Sequence, residues 1–327
     1  MFACANFLSW RFHRWLICCR LALMVLLSVA LAGCYREGPG LLTPTPDFPL
    51  PPALTPLPIQ IDGSALMQPL VARLAAAFQQ ASPGVRIIVG ASGTRTGFTR
   101  LCAGEFSLLN AIRSIDAQEA ALCRANGVAL HEIPLAYQAV AVVVPVENAF
   151  AGCLNLTQLA GVWRAGSAMQ SWRQVNLQFP DVPLAVYAPP NDSLAYNLFQ
   201  ERVLSGGAMR PTYEGVPVGS DAVGFLELGE ALRLQGSLRL LPLAFGDGVG
   251  SSCVTPDEAA VLDGNYTPLT RVLRVYAAVG ALTRPEAVQF VRYLLSAEAD
   301  AVIRDLGLIP LPAASRAQVL EQTGLLP

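Results

Sequence analysis

Two apolar stretches, Ala139–Val144 and Val272–Val279, constrain this chain more than any other feature. Both are rich in β-branched residues, which suit a buried pleated strand. They bound the middle of the chain, and they read as crossover strands joining two lobes. Two sequential domains are the other arrangement the pattern allows.

The flanking sequence supplies the rest of an α/β pattern. Ile59-Gln60-Ile61 reads as a short strand, followed by Asp62-Gly63-Ser64. A helix is expected from about Met67 to Gln80, with Leu70, Leu74 and Phe78 on one stripe, and Pro83-Gly84 breaks it. Val85–Val89 reads as a strand and Gly90-Ala91-Ser92-Gly93-Thr94 as the turn into the next helix. Phe106–Ile112 reads as a further strand, and helices are expected from Pro285 to Leu306. Strand–turn–helix alternation of this kind indicates an α/β sheet with function at the strand ends. The expected division is a first lobe of residues 59–139 and 271–327 and a second of 140–270.

The N-terminal 33 residues read as a targeting segment. Arg11, Arg14 and Arg20 make a positive start, no acid occurs before Glu37, and an apolar run extends from Leu21 to Gly33. A span needs about 20 apolar residues, so the run suits a cleaved signal peptide instead. Its end, Leu31-Ala32-Gly33-Cys34, resembles the lipobox of bacterial lipoproteins. That resemblance implies cleavage before Cys34 and lipidation of its sulfur; an uncleaved signal anchor is the alternative. Residues 34–58 form a linker, with eight prolines between Tyr35 and Pro58. Polyproline geometry at about 3.1 Å per residue gives it a reach of roughly 75 Å.

Removing the leader takes away three arginines and no acid, which moves the formal net charge from −2 to −5 with His131 neutral. No basic stripe remains for a nucleic-acid partner. The chain has no lysine, so any side-chain charge offered to an anion comes from arginine. Four cysteines follow Cys34: Cys102, Cys123, Cys153 and Cys253. Their even number in an exported chain suggests two disulfides with three conceivable pairings. The pairing expected is Cys102–Cys123, within one lobe, and Cys153–Cys253, stapling two segments of the other. With one histidine and no Cys-x-x-Cys spacing after the leader, no metal site or cofactor is expected.

Three places set Gly or Ser just before a helix: Gly63-Ser64, Ser92-Gly93-Thr94, and Asn191-Asp192-Ser193. A helix start offers unpaired N–H groups and a partial positive charge. A hydroxyl there either caps the helix or donates to an anion.

The body resembles the Pst-type phosphate-binding proteins of ABC transporters, which have the two-lobed type II periplasmic-binding fold. The matching stretches are Ile61-Asp62-Gly63-Ser64, Gly90-Ala91-Ser92-Gly93-Thr94 with Gly97-Phe98, and Leu101-Cys102-Ala103-Gly104-Glu105. Ala111-x-Arg113-x-Ile115, Pro134-x-Ala136-Tyr137, Val162-Trp163, Ser171-Trp172 and Asp192-Ser193 continue the series in the family's order. The resemblance implies phosphate or a similar oxyanion as ligand and ABC permease subunits as partners. It also implies a location outside the cytoplasmic membrane, on a lipid anchor. It assigns hydroxyl donors to Ser64 and Ser92, amide donors to Gly93 and Thr94, and a charged fork to Arg113. Asp192 accepts a ligand proton and Ser193 donates. A guanidinium suits an oxyanion geometrically, and a facing acceptor rewards a protonated one.

The chain departs from that pattern at the ligand. Ile112 stands where the family has serine, and Ser193-Leu194-Ala195 where it has Ser-Gly-Thr; Arg95 intrudes on a glycine-rich turn. Each lost donor costs about 1.5–3 kcal/mol of ligand interaction, and water is able to substitute. A second reading follows: a relative that kept the fold without the site, acting as a sensor or structural subunit of a membrane complex. An enzyme is not expected, since His131 is the sole histidine after the leader and no carboxylate pair is clustered.

Overall fold

The computed structural model describes residues 57–245 and 252–326. The leader, the lipobox cysteine Cys34 and the linker lie outside the described residues, apart from Leu57 and Pro58.

Thirteen strands follow in order: β1 (Ile59–Gly63), β2 (Ile87–Val89), β3 (Leu108–Ala111), β4 (Leu130–Pro145), β5 (Leu154–Asn155), β6 (Ala185–Ala188), β7 (Tyr213–Glu214), β8 (Ala222–Glu227), β9 (Leu238–Leu240), β10 (Leu243–Ala244), β11 (Cys253–Val254), β12 (Thr270–Ala278) and β13 (Ile309–Pro310). The main sheet runs β2-β1-β3-β12-β4-β8-β6-β7, with β13 and β9 also on β4. β1, β2 and β3 are mutually parallel, and so are β6, β7 and β8. The result is a two-lobed α/β fold with parallel strands on each side of a shared spine.

That spine is β4. It is 16 residues long, about 50 Å at the usual strand rise. Residues Leu130 to Ala139 pair antiparallel with β12; from Val140 the partner becomes β8. The apolar run from Ala139 is therefore only the second part of a longer strand. The first part carries His131, Glu132 and Gln138 and is only partly buried, so it lacks the continuous apolar run that marks a strand buried on both faces. A register shift at Leu273/Arg274 faces Pro134. Proline has no N–H for the ladder, and bulges accommodate it.

Two cores lie on either side. One joins Ile59, Leu70, Leu74, Phe78 and Val275 with Phe290, Leu294 and Ile303 from the C-terminal helices. The helix Gln68–Ala81 buries Leu70, Leu74 and Phe78 as the stripe predicts. A further helix, Ala313–Gln322, buries only Val319, and without an apolar stripe it leaves no periodic signal. The other core centres on Trp163, Trp172, Phe199 and Phe225. Phe199 and Phe225 stack at 3.9 Å, and Trp163 meets Phe199 edge-on at 5.1 Å. Such pairs add about 0.5–1.5 kcal/mol each beyond area burial. Both indole N–H groups are satisfied, by the carbonyls of Tyr187 and Asp221.

The cysteines pair as expected. Cys102–Cys123 ties the helix Thr94–Cys102 to the helix Ala117–Ala125, and Cys153–Cys253 closes a separation of 100 residues. Among the described residues, no helix is long and apolar enough to cross a membrane, and no group of metal-ligating side chains is clustered.

Candidate functional site

The parallel pairing of β1 with β2 and β3 gathers their carboxyl ends. Gly63 lies opposite Asn110 in the register. Two backbone bonds then fix the loops that follow: the Ser64 amide donates to the Asn110 carbonyl (3.1 Å), and the Gly93 amide donates to the Gly63 carbonyl (2.7 Å). Gly63 has φ of +134°, and a Cβ there would lie 2.1 Å from the Asn110 oxygen. Only glycine fits that junction. Gly97 plays the matching part on the helix Thr94–Cys102, where a Cβ would approach Leu109 to 2.4 Å. The close approach brings the helix start down onto the end of β1.

Asp62 organises this corner, and sequence reasoning assigned it no role. Its carboxylate accepts from the amides of Gly63 (2.7 Å) and Ser92 (2.8 Å) and pairs with Arg100 (2.5 Å). Burial works against its charge. The amides of Ser92 and Gly63, the Ser92 hydroxyl and the Arg100 charge outweigh burial and hold the carboxyl below its ordinary range. One expected donor is spent inside the protein: the Gly93 amide serves the Gly63 carbonyl, while the Ser92 amide serves Asp62. Thr94 begins the helix half-buried.

Ser64 differs. It is buried, and its hydroxyl makes no capping bond to the turn it opens. Close by, Asn110 is 0% exposed, and neither its Oδ1 nor its Nδ2 has a partner. Leu109 and Ala111 pack together with Phe98 and Tyr276, so Asn110 projects to the opposite face with Leu108. An unpaired buried amide costs on the order of 1–3 kcal/mol. The only sequence signal was a polar residue inside an otherwise apolar strand.

Arg113 follows the end of β3, as expected for a ligand-facing residue, but it is already engaged. Nη2 and Nη1 donate to the two oxygens of Glu119 (2.7 and 2.8 Å), and Nη1 also donates to the Ser114 carbonyl. Its guanidinium lies 5.7 Å from the Phe98 ring centroid. The hydrogen bonds to Glu119 raise its pKa, against burial, with the charges of Glu119 and Asp116 adding to the rise. Glu119 is itself buried and completes a capping box with Asp116. The net charge of this fork is therefore largely cancelled. Among the described residues Nε has no acceptor, which leaves the side-on face of the guanidinium open.

The other half of the site lies on the second lobe. Ser193 caps the helix Leu194–Val203, accepting from the Tyr196 amide at 3.1 Å. Its hydroxyl proton remains free to donate. Asp192 beside it is exposed. Leu194, where the family pattern has glycine, packs against the core of the first lobe, while Ala195, where it has threonine, is buried in that of the second. Cavities occur elsewhere too: one of 530 Å³, lined by Arg210, Tyr213 and Asp221, opens at the amino end of β6, away from these helix starts.

Fold and site together define a two-lobed solute-binding protein, with helix starts presented from each lobe. The chain belongs to the PBP superfamily: the PBP superfamily domain model matches residues 46–298. It is 32% identical over 267 residues to protein SphX of Synechococcus elongatus, covering 78% of each chain. It is 25% identical over 260 residues to the phosphate-binding protein PstS of Staphylococcus saprophyticus, covering 77% of this chain and 79% of that one. A crystal structure described as a possible phosphate binding protein from Planctomyces limnophilus superposes with a TM-score of 0.74. That match has 27% identity over 83% of this chain and 99% of the other.

Proposed function

We propose that this chain is a lipid-anchored solute-binding protein outside the cytoplasmic membrane that presents phosphate, or a similar oxyanion, to an ABC transporter. The observation that carries the reading is the pair of unspent groups at the first helix start. The Ser64 hydroxyl is buried without a capping bond, and the Asn110 amide nearby is buried without any partner. A buried polar group without a partner calls for a ligand or a water, and the Asn110 amide supports a ligand at this helix start. Ser193 supplies a donor from the second lobe, Thr94 a helix start, and Arg113 the open side of its guanidinium. Asp192 is the acceptor for a protonated oxyanion.

Residues 59–139 with 271–327 form the first lobe in this reading and 140–270 the second, closing about the crossing near Ala139 and Thr270. Cys34 carries the lipid and residues 34–58 the tether, on the periplasmic or outer face of the cell. The partners are the ligand, the permease subunits and the membrane; the function is binding, not catalysis.

A second reading, a relative without the ligand, is favoured by the Arg113–Glu119 pairing and by the apolar Leu194. Calorimetric titration of the purified protein with phosphate, sulfate and arsenate separates the two. Phosphate binding that weakens by about 2–5 kcal/mol in Arg113→Ala supports the site. A wild type that binds none of the three belongs to the second reading.

A further inference from the structure

The crossing between the lobes holds a polar network that no donor set described so far uses. Gln138 on β4, Arg271 on β12 and Glu227 at the end of β8 are 0%, 7% and 9% exposed. Gln138 bridges the other two: its Nε2 donates to Glu227 Oε1 and its Oε1 accepts from Arg271 Nε, both at 2.6 Å. Each half of the amide thus meets its complement, and the orientation is fixed. Arg271 spends its remaining donors on one helix. Nη1 reaches Asn197 (2.9 Å) and Glu201 (3.4 Å), and Nη2 reaches the Leu194 carbonyl (3.5 Å). Positions 194, 197 and 201 share one helix face. This is the helix that Ser193 caps.

Arg271 therefore ties the first two turns of the second-lobe helix to the strands on which the lobes meet. A helix start serves an anion only when its donors are held in place, and Ser193 has no other side-chain bond to the first lobe among the described residues. Charge acts alongside geometry. The direct ionic partner of Arg271 is Glu201, whose side chain is 51% exposed and 3.4 Å away. Its positive charge is thus weakly offset one turn from Ser193, where it favours a bound anion.

We propose that Arg271 is the positioning residue for the second-lobe half of the anion site: anchored to the crossing through Gln138 and Glu227, it holds the Ser193 helix start and lends it positive potential. The proposal rests on the anion-binding reading above.

Glu227 makes the arrangement sensitive to pH. The charged groups acting on it are Arg271 from β12 and Glu230 from the helix Leu228–Arg233. Gln138 from β4 and Gly307, which packs against its Cβ, bring none, and Glu201 and Arg202 act on Arg271. Burial pushes the Glu227 carboxyl up to about 8. Near neutral pH it is uncharged and leaves the Arg271 charge intact; once ionised, it draws on that charge.

Two measurements on the full-length protein test the proposal. The first is calorimetric titration with inorganic phosphate and with sulfate from pH 6 to 9.5. The second is amide hydrogen exchange without ligand. Arg271→Lys keeps the charge but loses the fork, and tenfold or greater weakening of phosphate binding is expected. Exchange at Leu194–Leu198 should rise severalfold, with Gln68–Ala81 unchanged. Glu227→Gln should match wild type at pH 7 and lack the several-fold extra loss of affinity that wild type shows above pH 8. If Arg271→Lys does not fold, the half-buried Asn197→Leu removes the helix side of the clamp and should shift both readouts in the same direction. Unchanged exchange at Leu194–Leu198 in these variants overturns the positioning role, whether or not the protein binds an anion. Identical pH profiles for wild type and Glu227→Gln overturn the coupling to Glu227. A wild type that binds neither phosphate nor sulfate sinks the anion-binding reading, and the exchange result still decides the clamp.

Discussion

The two halves of the candidate site are held by opposite electrostatic strategies. In the first lobe, Asp62 and Arg113, the charges packed against the helix starts, are answered on the spot: Asp62 by two amides and Arg100, Arg113 by Glu119. At the second-lobe helix start, the charge is remote and buried: it comes from Arg271 on β12, beside a carboxyl whose second oxygen, Glu227 Oε2, has no partner. The difference has a thermodynamic signature. The Asp62 carboxyl is held down, so its contribution to stability is present at neutral pH and is lost as pH falls through its folded value. The Glu227 carboxyl is held up. Its folded state keeps the proton while the unfolded chain gives it away, so stability is full in acid and is lost as pH rises through about 8.

The largest expected effect separates these two signs. Between the ordinary glutamate range near 4.5 and the folded value of about 8, wild type should lose on the order of 4 kcal/mol relative to Glu227→Gln. Denaturant unfolding of the unliganded protein at several pH values measures it. Asp62→Asn should show the reverse: destabilised at neutral pH, with the gap to wild type narrowing in acid. Parallel pH curves for wild type and Glu227→Gln would remove the contrast between the lobes.

A smaller effect is expected at Arg113. Its partner Glu119 is 7% exposed, so Arg113→Ala leaves a buried carboxylate with one cation fewer. Unfolding free energy without ligand should drop by about 1–3 kcal/mol, less than for a fully buried pair because Arg113 itself is partly exposed. The double variant Arg113→Ala/Glu119→Gln should recover most of the loss, since the glutamine keeps the capping bond to Asp116. Without that recovery, the pair is not what keeps Arg113 in place.

Much of the first lobe was legible in the sequence because its signals are local. The Leu70–Leu74–Phe78 stripe, the Pro83-Gly84 break and the turn at Gly90–Thr94 each act within a few residues. Gly63 and Gly97 were visible as glycines but not as a contact, because the approach they permit depends on the register of β1 with β3. The second lobe was legible in its strands and less so in its site. Gln138, Glu227 and Arg271 lie far apart in the chain and share no spacing. Each is a polar residue within a strand or at its end, and such residues are usually edge or solvent-facing positions. Only the antiparallel register of β4 with β12 and β8 brings the three together. Glu119 lies six residues after Arg113, and the structure supplies the bidentate geometry that this spacing does not announce.

The smallest effect tests whether the second lobe has given up ligand contacts for packing. Leu194 occupies the first helical position after Ser193, half-buried, with its side chain against the first-lobe core. Replacing it by serine adds a hydroxyl to the helix start, beside the one lost at Ala195, and removes an apolar contact between the lobes. The contact is partial, so the cost without ligand is expected at about 1 kcal/mol. The hydroxyl can donate to a bound oxyanion, worth about 1.5 kcal/mol when the acceptor is charged. Leu194→Ser should therefore bind phosphate several-fold more tightly while melting a few degrees lower, by calorimetric titration and thermal unfolding on the same preparation. Tighter binding with lower stability puts position 194 beside the ligand, with its side chain spent on packing. If the variant melts lower and binding does not improve, the side chain at position 194 does not face the ligand. The second lobe would then contribute through Ser193 and the charge of Arg271 alone.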